Sequence, residues 1–190
     1  MIAKTLTLTA AAALLTAGAA SAQIFGDEYG TDLDYDRFSA GLAGTGYYDA
    51  LDRDRDALLS ENEYSTGLYA DYDRDNDVLV SEDEFNLAND RYYGGAYAGG
   101  AFTDYDLDAD GFLNQQEFGG FYGTEGRQNY AVYDVDQDGF LNADEYGRGL
   151  YGMGDRNQDQ VITIEEEGPF EGWFDGDDVE AEIESVGTVY

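Results

Sequence analysis

Between residues 52 and 166 one pattern recurs five times: acidic or amide side chains at alternate positions, then a glutamate seven residues after the third of them. The segments are DRDRDALLSENE from Asp52, DRDNDVLVSEDE from Asp73, DLDADGFLNQQE from Asp106, DVDQDGFLNADE from Asp134 and DRNQDQVITIEE from Asp155. Like charges crowded this closely repel, so the chain must either leave them in solvent or close them on a cation. The rest of the register favours closure. With the first Asp as position 1, position 8 is always aliphatic: Leu59, Val80, Leu113, Leu141 and Ile162. The residue four before each segment is aromatic (Tyr48, Tyr69, Phe102, Tyr130, Tyr151), and position 13 is aromatic in four (Tyr64, Phe85, Phe118, Tyr146). A hard divalent cation takes about six to eight oxygens at roughly 2.3 to 2.6 Å. Alternate residues of a tight loop can aim carboxylates to one side, and a glutamate opening the next helix closes the cage.

One such match in a chain this rich in Asp would be accidental; five in register make a repeat. The pattern resembles the loop of the EF-hand family, and the resemblance covers residues 48 to 167. It implies an all-α fold of helix-loop-helix repeats, with short linking helices and very short strand pairing between loops at position 8. It implies Ca²⁺ as the ion, held by side chains at positions 1, 3, 5 and 12, the backbone carbonyl at 7 and often a water at 9. Carried onto this chain, the ligands are Asp52, Asp54, Asp56, Leu58 and Glu63; Asp73, Asp75, Asp77, Leu79 and Glu84; and Asp106, Asp108, Asp110, Phe112 and Glu117. The last two loops supply Asp134, Asp136, Asp138, Phe140 and Glu145, and Asp155, Asn157, Asp159, Val161 and Glu166. A bidentate Glu at 12 suits the larger shell of Ca²⁺ over that of Mg²⁺.

The loops are not equivalent. Position 6 turns with positive φ, which Gly supplies without steric cost. Gly111 and Gly139 meet that demand, Ala57 and Gln160 are strained by it, and the β-branched Val78 is strained most. The loops at Asp106 and Asp134 are therefore expected to bind tightest, and the one at Asp155, with Asn157 in place of a carboxylate, more weakly. The close spacing is also similar to that of bacterial lanthanide-binding EF-hand proteins of the lanmodulin type, which tend to carry Pro at position 2 and an acid at 9. Here position 2 is Arg53, Arg74, Leu107, Val135 and Arg156, and position 9 is Ser60, Ser81, Asn114, Asn142 and Thr163. Lanthanide binding is thus a second alternative, without those two marks.

Loop starts differ by 21, 33, 28 and 21 residues, so nine residues separate Glu63 from Asp73 and Glu145 from Asp155. Nine residues span about 13 Å as a helix, which leaves room for one helix and not two. The outgoing helix of one loop is then the incoming helix of the next, with Tyr64, Leu68 and Tyr72 on a single face read as core. Gly147, Gly149, Gly152 and Gly154 in the second such helix each cost about 0.8 to 1 kcal/mol relative to Ala. Weak helices and strong self-repulsion predict a loose ion-free form in which binding and folding are linked.

A sixth, ligand-free copy precedes the five. FSAGL at Phe38 to Leu42 echoes YSTGL at Tyr64 and YGRGL at Tyr146, which places Gly26 at position 1, Gly30 at 5, Leu33 at 8 and Arg37 at 12. Such a copy, near 26–37, would complete three pairs; an unpaired fifth loop, or one completed by a partner molecule, is the competing reading.

The flanks differ in character. Lys4, the Ala/Leu/Thr run to Ala20 and the ASA before Gln23 have the form of a secretory signal peptide over 1–22, cut after Ala22, with an uncleaved membrane anchor as the alternative. Export to a periplasmic or extracellular space is the expectation, with no membrane contact after cleavage. The repeat array then occupies 23–168. Pro169 opens an acidic segment, 169–190, holding Trp173 and a short helix pattern of Val179, Ile183 and Val186, read as a cap on the last repeat or as a partner-docking element.

Cleavage would leave 8 Arg against 42 Asp and Glu, a formal charge of −34. Such a chain repels nucleic acid and anionic lipid and draws cations. The absence of Cys excludes disulfides, thiolate metal sites and a lipid-modified N-terminus. No His or Cys is present and the only Lys is Lys4, which removes the usual bases and most nucleophiles, so no enzymatic activity is expected. The reading is a secreted Ca²⁺ buffer or Ca²⁺-stabilised binding protein. The alternative is a calcium-dependent interaction or structural module at the cell surface, by analogy with dockerins, with a protein partner the sequence does not name.

Overall fold

The computed structural model describes residues 32–93, 99–163 and 166. The expected signal peptide, the first part of the ligand-free copy (26–31) and the C-terminal segment 169–190 lie outside the described residues. The fold is mostly helical. In chain order it comprises α1 (Tyr35–Thr45), α2 (Tyr47–Leu51), α3 (Glu61–Tyr72), β1 (Val80–Ser81), α4 (Glu82–Tyr93) and α5 (Phe102–Tyr105). There follow β2 (Phe112–Leu113), α6 (Gln115–Phe121), a π turn (Tyr122–Gly126), α7 (Arg127–Tyr133) and α8 (Ala143–Gly154). Among the described residues no helix is long and apolar enough to cross a membrane.

Each helix after a loop starts at a built-in cap. Ser60 and Asn142 sit in extended conformation at the N-caps of α3 and α8, accept from the N–H of Glu63 and Glu145, and receive those glutamates back in a capping box. Both α3 and α8 run unbroken from one loop to the next, at 12 residues each, so each holds its two loops at opposite ends. Between the loops at Asp106 and Asp134, α6 continues through the π turn into α7. Gly46, with φ +73°, ends α1 and turns the chain into α2.

Pairing therefore cannot join the two loops at the ends of α3, nor the two at the ends of α8. The only two-stranded sheet among the described residues joins Val80 to Leu113 and Ser81 to Phe112, antiparallel. Leu59 and Leu141 exchange backbone hydrogen bonds of 2.7 and 2.9 Å, and Leu33 and Ile162 exchange two of 2.9 Å. Six aliphatic residues, all at position 8 of their segments, thus meet in three nested pairs, and all six are buried. Leu33, at position 8 of the expected ligand-free copy, faces Ile162 of the last loop.

Aromatic side chains fill the space beneath each pair. Under the inner pair, Tyr72 meets Phe118 at 5.0 Å and Phe121 at 5.3 Å between ring centroids, and Phe85 meets Phe121 at 5.1 Å. Under the middle pair, Tyr64 contacts Tyr130 at 5.4 Å and Tyr133 and Tyr146 at 6.3 Å. Tyr151 meets Phe38 and Tyr35 at 5.5 Å under the outer one. Helix α3 serves two of these clusters, Tyr64 at its start and Tyr69 and Tyr72 at its end.

The glycines of α8 divide by what they touch. A Cβ on Gly149 would overlap the ring of Tyr133, whereas one on Gly152 would meet nothing within 4 Å. Gly149 is thus a close approach that the packing uses, and the propensity cost read from the sequence applies cleanly only to Gly152. Gly152→Ala is expected to raise stability by about 0.8 to 1 kcal/mol and Gly149→Ala to lower it by about 1 to 3 kcal/mol. Denaturant unfolding of the two variants checks both signs.

Candidate metal centres

The five loops share one set of backbone hydrogen bonds, which turns an acidic string into a concave cluster. The Oδ2 of position 1 accepts from the N–H of position 6, at 2.9 Å from Ala57, Val78 and Gln160 and at 3.1 Å from Gly111 and Gly139. The Oδ1 of position 3 accepts from position 5, for example Asp138 N–H to Asp136 at 3.1 Å. The Oδ1 of position 5 accepts from position 7, as Phe140 N–H to Asp138 at 2.8 Å. One oxygen of the closing glutamate reaches back to the start of the loop, with Arg53, Arg74, Leu107 and Val135 N–H at 2.9 to 3.0 Å. Its other oxygen takes the position 9 N–H, 2.8 Å from Ser60 to Glu63.

The carboxylates converge as a result. Single oxygens of Asp52, Asp54 and Asp56 lie within 4.8 Å of one another, as do those of Asp73, Asp75 and Glu84, of Asp106, Asp108 and Glu117, and of Asp134, Asp136 and Glu145. Two unit charges at that distance repel by about 3.5 kcal/mol at an effective dielectric constant of about 20. Asp155, Asp159 and Glu166 occupy the equivalent places in the last loop and share its hydrogen bonds, with Asn157 Oδ1 accepting from Asp159 N–H at 2.8 Å. Leu58, Leu79, Phe112, Phe140 and Val161 at position 7 are each tied by their N–H to the position 5 carboxylate of their loop.

The two loops with Gly at position 6 differ from the others at one atom. In the loops at Asp52, Asp73 and Asp155, Oδ1 of position 1 accepts from position 5 at 3.2, 3.1 and 3.0 Å. In the other two, Asp106 Oδ1 and Asp134 Oδ1 are buried and have no hydrogen-bond partner. A buried carboxylate oxygen without a donor is costly unless a cation takes its place. Together with an all-oxygen donor set, that atom fits a hard divalent ion.

Backbone strain follows the residue type. Position 6 has φ +68° at Ala57, +71° at Val78 and +71° at Gln160, against +90° and +89° at Gly111 and Gly139. Position 4 is also left-handed in every loop, at Arg55, Asn76, Ala109, Gln137 and Gln158, with φ from 59 to 61°. Nothing in the sequence reading anticipated that second turn. Val78 is 45% exposed, so removing its side chain forfeits little burial while relieving a β-branched residue at positive φ. Val78→Gly is expected to stabilise the protein by about 1 kcal/mol, read as a higher midpoint in thermal unfolding.

Burial pushes Asp73 up from 3.8 to about 6, against the hydrogen bonds from Val78 and Asp77 N–H; the nearby Glu84 and Asp77 charges add to the rise. Burial likewise raises Asp71 to about 6, despite hydrogen bonds from the Tyr47 and Tyr92 hydroxyls. Burial also acts upward on Glu63, but the Ser60 hydroxyl and the backbone N–H groups of Ser60, Arg53 and Asp54 hold it below the usual glutamate range. For Asp71 and Asp73 the folded state keeps a proton that the unfolded chain has already lost. Their ionisation costs nothing below about pH 4 and its full amount above about pH 6. The ion-free protein is therefore expected to melt higher at pH 5 than at pH 7.5; if a divalent cation fills the loops the order would reverse, because such binding needs the carboxylates ionised. A lower melting temperature at pH 5 without Ca²⁺ would overturn this assignment.

Two groups of residues at the site escaped the sequence reading. Position 9 is the helix N-cap in each fully described case, and its Ser, Asn or Thr with Glu three residues later was a legible capping box. Four of the five aromatics four before each loop, all but Phe102, carry hydroxyls that reach the loops. Tyr48 donates to the carbonyls of Ala57 and Leu141 at 3.0 and 2.9 Å, and Tyr130 to those of Gly139 and Leu59 at 2.8 and 3.0 Å. Tyr69 donates to Val78 and Leu113 at 2.6 and 3.3 Å, and Tyr151 to Leu33 at 3.0 Å. Burial pushes all four hydroxyls up, Tyr130 and Tyr151 to about 12, so they stay protonated donors at any physiological pH. Set against known proteins, the chain matches no family model, no curated protein and no solved structure.

Proposed function

We propose that this chain is an exported Ca²⁺-binding protein of the EF-hand type, in which ions fill the loops at Asp52, Asp73, Asp106, Asp134 and Asp155 and their binding is coupled to folding. The observation that carries the reading is the buried, unpartnered Oδ1 of Asp106 and Asp134 inside converging carboxylate clusters. No catalytic role is assigned. The closing glutamates would supply two oxygens each, which favours Ca²⁺ over Mg²⁺. Calorimetric titration of chelator-stripped protein is the test. The expected result is about four or five Ca²⁺ bound, the Asp155 loop weakest, with a much smaller response to Mg²⁺. No Ca²⁺ binding, or a response to a lanthanide alone, would sink the proposal.

A specific observation favours a second reading, that of a Ca²⁺-dependent interaction module. The two Gly-bearing loops expose apolar side chains at positions 2 and 7: Leu107 is 79% and Val135 71% exposed, and Phe112 and Phe140 are 37% and 39% exposed. The other three loops carry Arg at position 2. A hydrophobic dye separates the readings: stronger binding in Ca²⁺ supports the module, weaker binding supports a buffer that folds around its ions.

A further inference from the structure

The inner and middle pairs each unite a loop that is easy to close with one that is not. The strained loop at Asp52 faces the Gly-bearing loop at Asp134, and the strained loop at Asp73 faces the Gly-bearing loop at Asp106. In the first pair the bridge is flanked by two tyrosine hydroxyls in reciprocal positions. Tyr48 spans Ala57 O of its own loop and Leu141 O of the facing one; Tyr130 spans Gly139 O and Leu59 O. In the second pair only Tyr69 does so, because the corresponding residue is Phe102.

We propose that the hydroxyls of Tyr48 and Tyr130 carry ion occupancy from the loop at Asp134 to the loop at Asp52, so that filling the first raises the affinity of the second. This rests on the reading of the loops as Ca²⁺ sites. A phenolic hydroxyl has one proton and here two carbonyl acceptors. The carbonyl at position 6 belongs to the peptide that leads into position 7, so closing a loop on its ion fixes that acceptor and, with it, the hydroxyl. The hydroxyl then holds position 8 of the facing loop in place before that loop's ion arrives. The strained loop binds with part of its ordering already done, which is positive coupling between the sites. The inner pair, with one hydroxyl clamp in place of two, is coupled less.

Amide NMR of the full chain titrated with Ca²⁺ tests this, following Ala57 and Gly139 for the middle pair and Val78 and Gly111 for the inner pair. In the parent, Ala57 and Gly139 are expected to share one Ca²⁺ midpoint. In Tyr48→Phe/Tyr130→Phe the Ala57 midpoint is expected to rise about fivefold or more above that of Gly139, with Val78 and Gly111 unmoved. Conversely, Phe102→Tyr adds the missing hydroxyl and is expected to draw the Val78 midpoint toward that of Gly111. Equal shifts at Ala57 and Gly139, or none, would overturn the clamp and leave the Ca²⁺ sites standing. Amides in the parent that ignore Ca²⁺ would overturn both. Where the double variant loses the parent spectrum, Phe102→Tyr decides alone, and an unchanged separation between Val78 and Gly111 counts against the clamp.

Discussion

Stripped of divalent ions near pH 7.5, the protein is expected to lose most of its helical circular dichroism and to regain it on addition of Ca²⁺. The reason lies in how the helices are anchored. α3 and α8 each carry the closing glutamate of one loop in the first turn and are C-capped by the first aspartate of the next, so an acidic loop sits at both ends of each helix. Without cations, carboxylates within 4.8 Å of one another push both ends open. An ion held at a hundred times its dissociation constant adds about 2.7 kcal/mol per site. Four such sites come to about 11 kcal/mol, which matches the whole stability of an ordinary domain at about 5 to 15 kcal/mol. Thermal scans with chelator and with millimolar Ca²⁺ should therefore differ by tens of degrees or show no transition at all without the ion. Superimposable scans would separate folding from the acidic clusters.

The next largest effect belongs to the closing glutamates. Glu145 accepts from Val135 and Asp136 N–H at 3.0 and 3.3 Å with one oxygen, and from Asn142 N–H and its side-chain amide at 3.1 and 2.8 Å with the other. Gln in its place keeps one acceptor and turns the other into a donor, which faces a donor. The loop loses a carboxylate whose two oxygens both face it, whereas the capping box can survive, because Gln at the third helical position serves it as Glu does. Glu145→Gln is expected to weaken that site by more than about a hundredfold, beyond the upper end for residues that only support a ligand. Glu117→Gln/Glu145→Gln should remove at least two ions from the calorimetric stoichiometry. Retention of all sites at parental affinity would show that these glutamates are caps and nothing else.

Much of this arrangement was legible in the sequence, because local rules govern it. Alternation at positions 1, 3 and 5 and the remote glutamate place the acidic clusters, and the nine-residue spacers read as single helices match α3 and α8. The partner of each loop was not legible. The loops at Asp52 and Asp73 are sequence neighbours, yet a 12-residue helix about 18 Å long keeps them apart. The same holds for Asp134 and Asp155 across α8. With neighbours excluded twice, the loops at Asp73 and Asp106 meet, those at Asp52 and Asp134 meet outside them, and Ile162 is left with Leu33. That outcome depends on helix rigidity over the whole chain, which no window of a dozen residues contains. The tyrosine hydroxyls were hidden for another reason: Phe102 occupies the same register as Tyr48, Tyr69, Tyr130 and Tyr151, so the hydroxyl reads as incidental to an aromatic core position.

Nesting also dictates an order of assembly. The inner bridge closes over 33 residues, Val80 to Leu113; the middle one spans 82, Leu59 to Leu141; the outer one spans 129, Leu33 to Ile162. Closing the outer bridge first would cost the most chain entropy, whereas each inner closure shortens the free chain that the next must gather. Assembly therefore runs from the middle of the chain outward. Leu33, the first of the six bridge residues to leave the ribosome, waits for Ile162, the last.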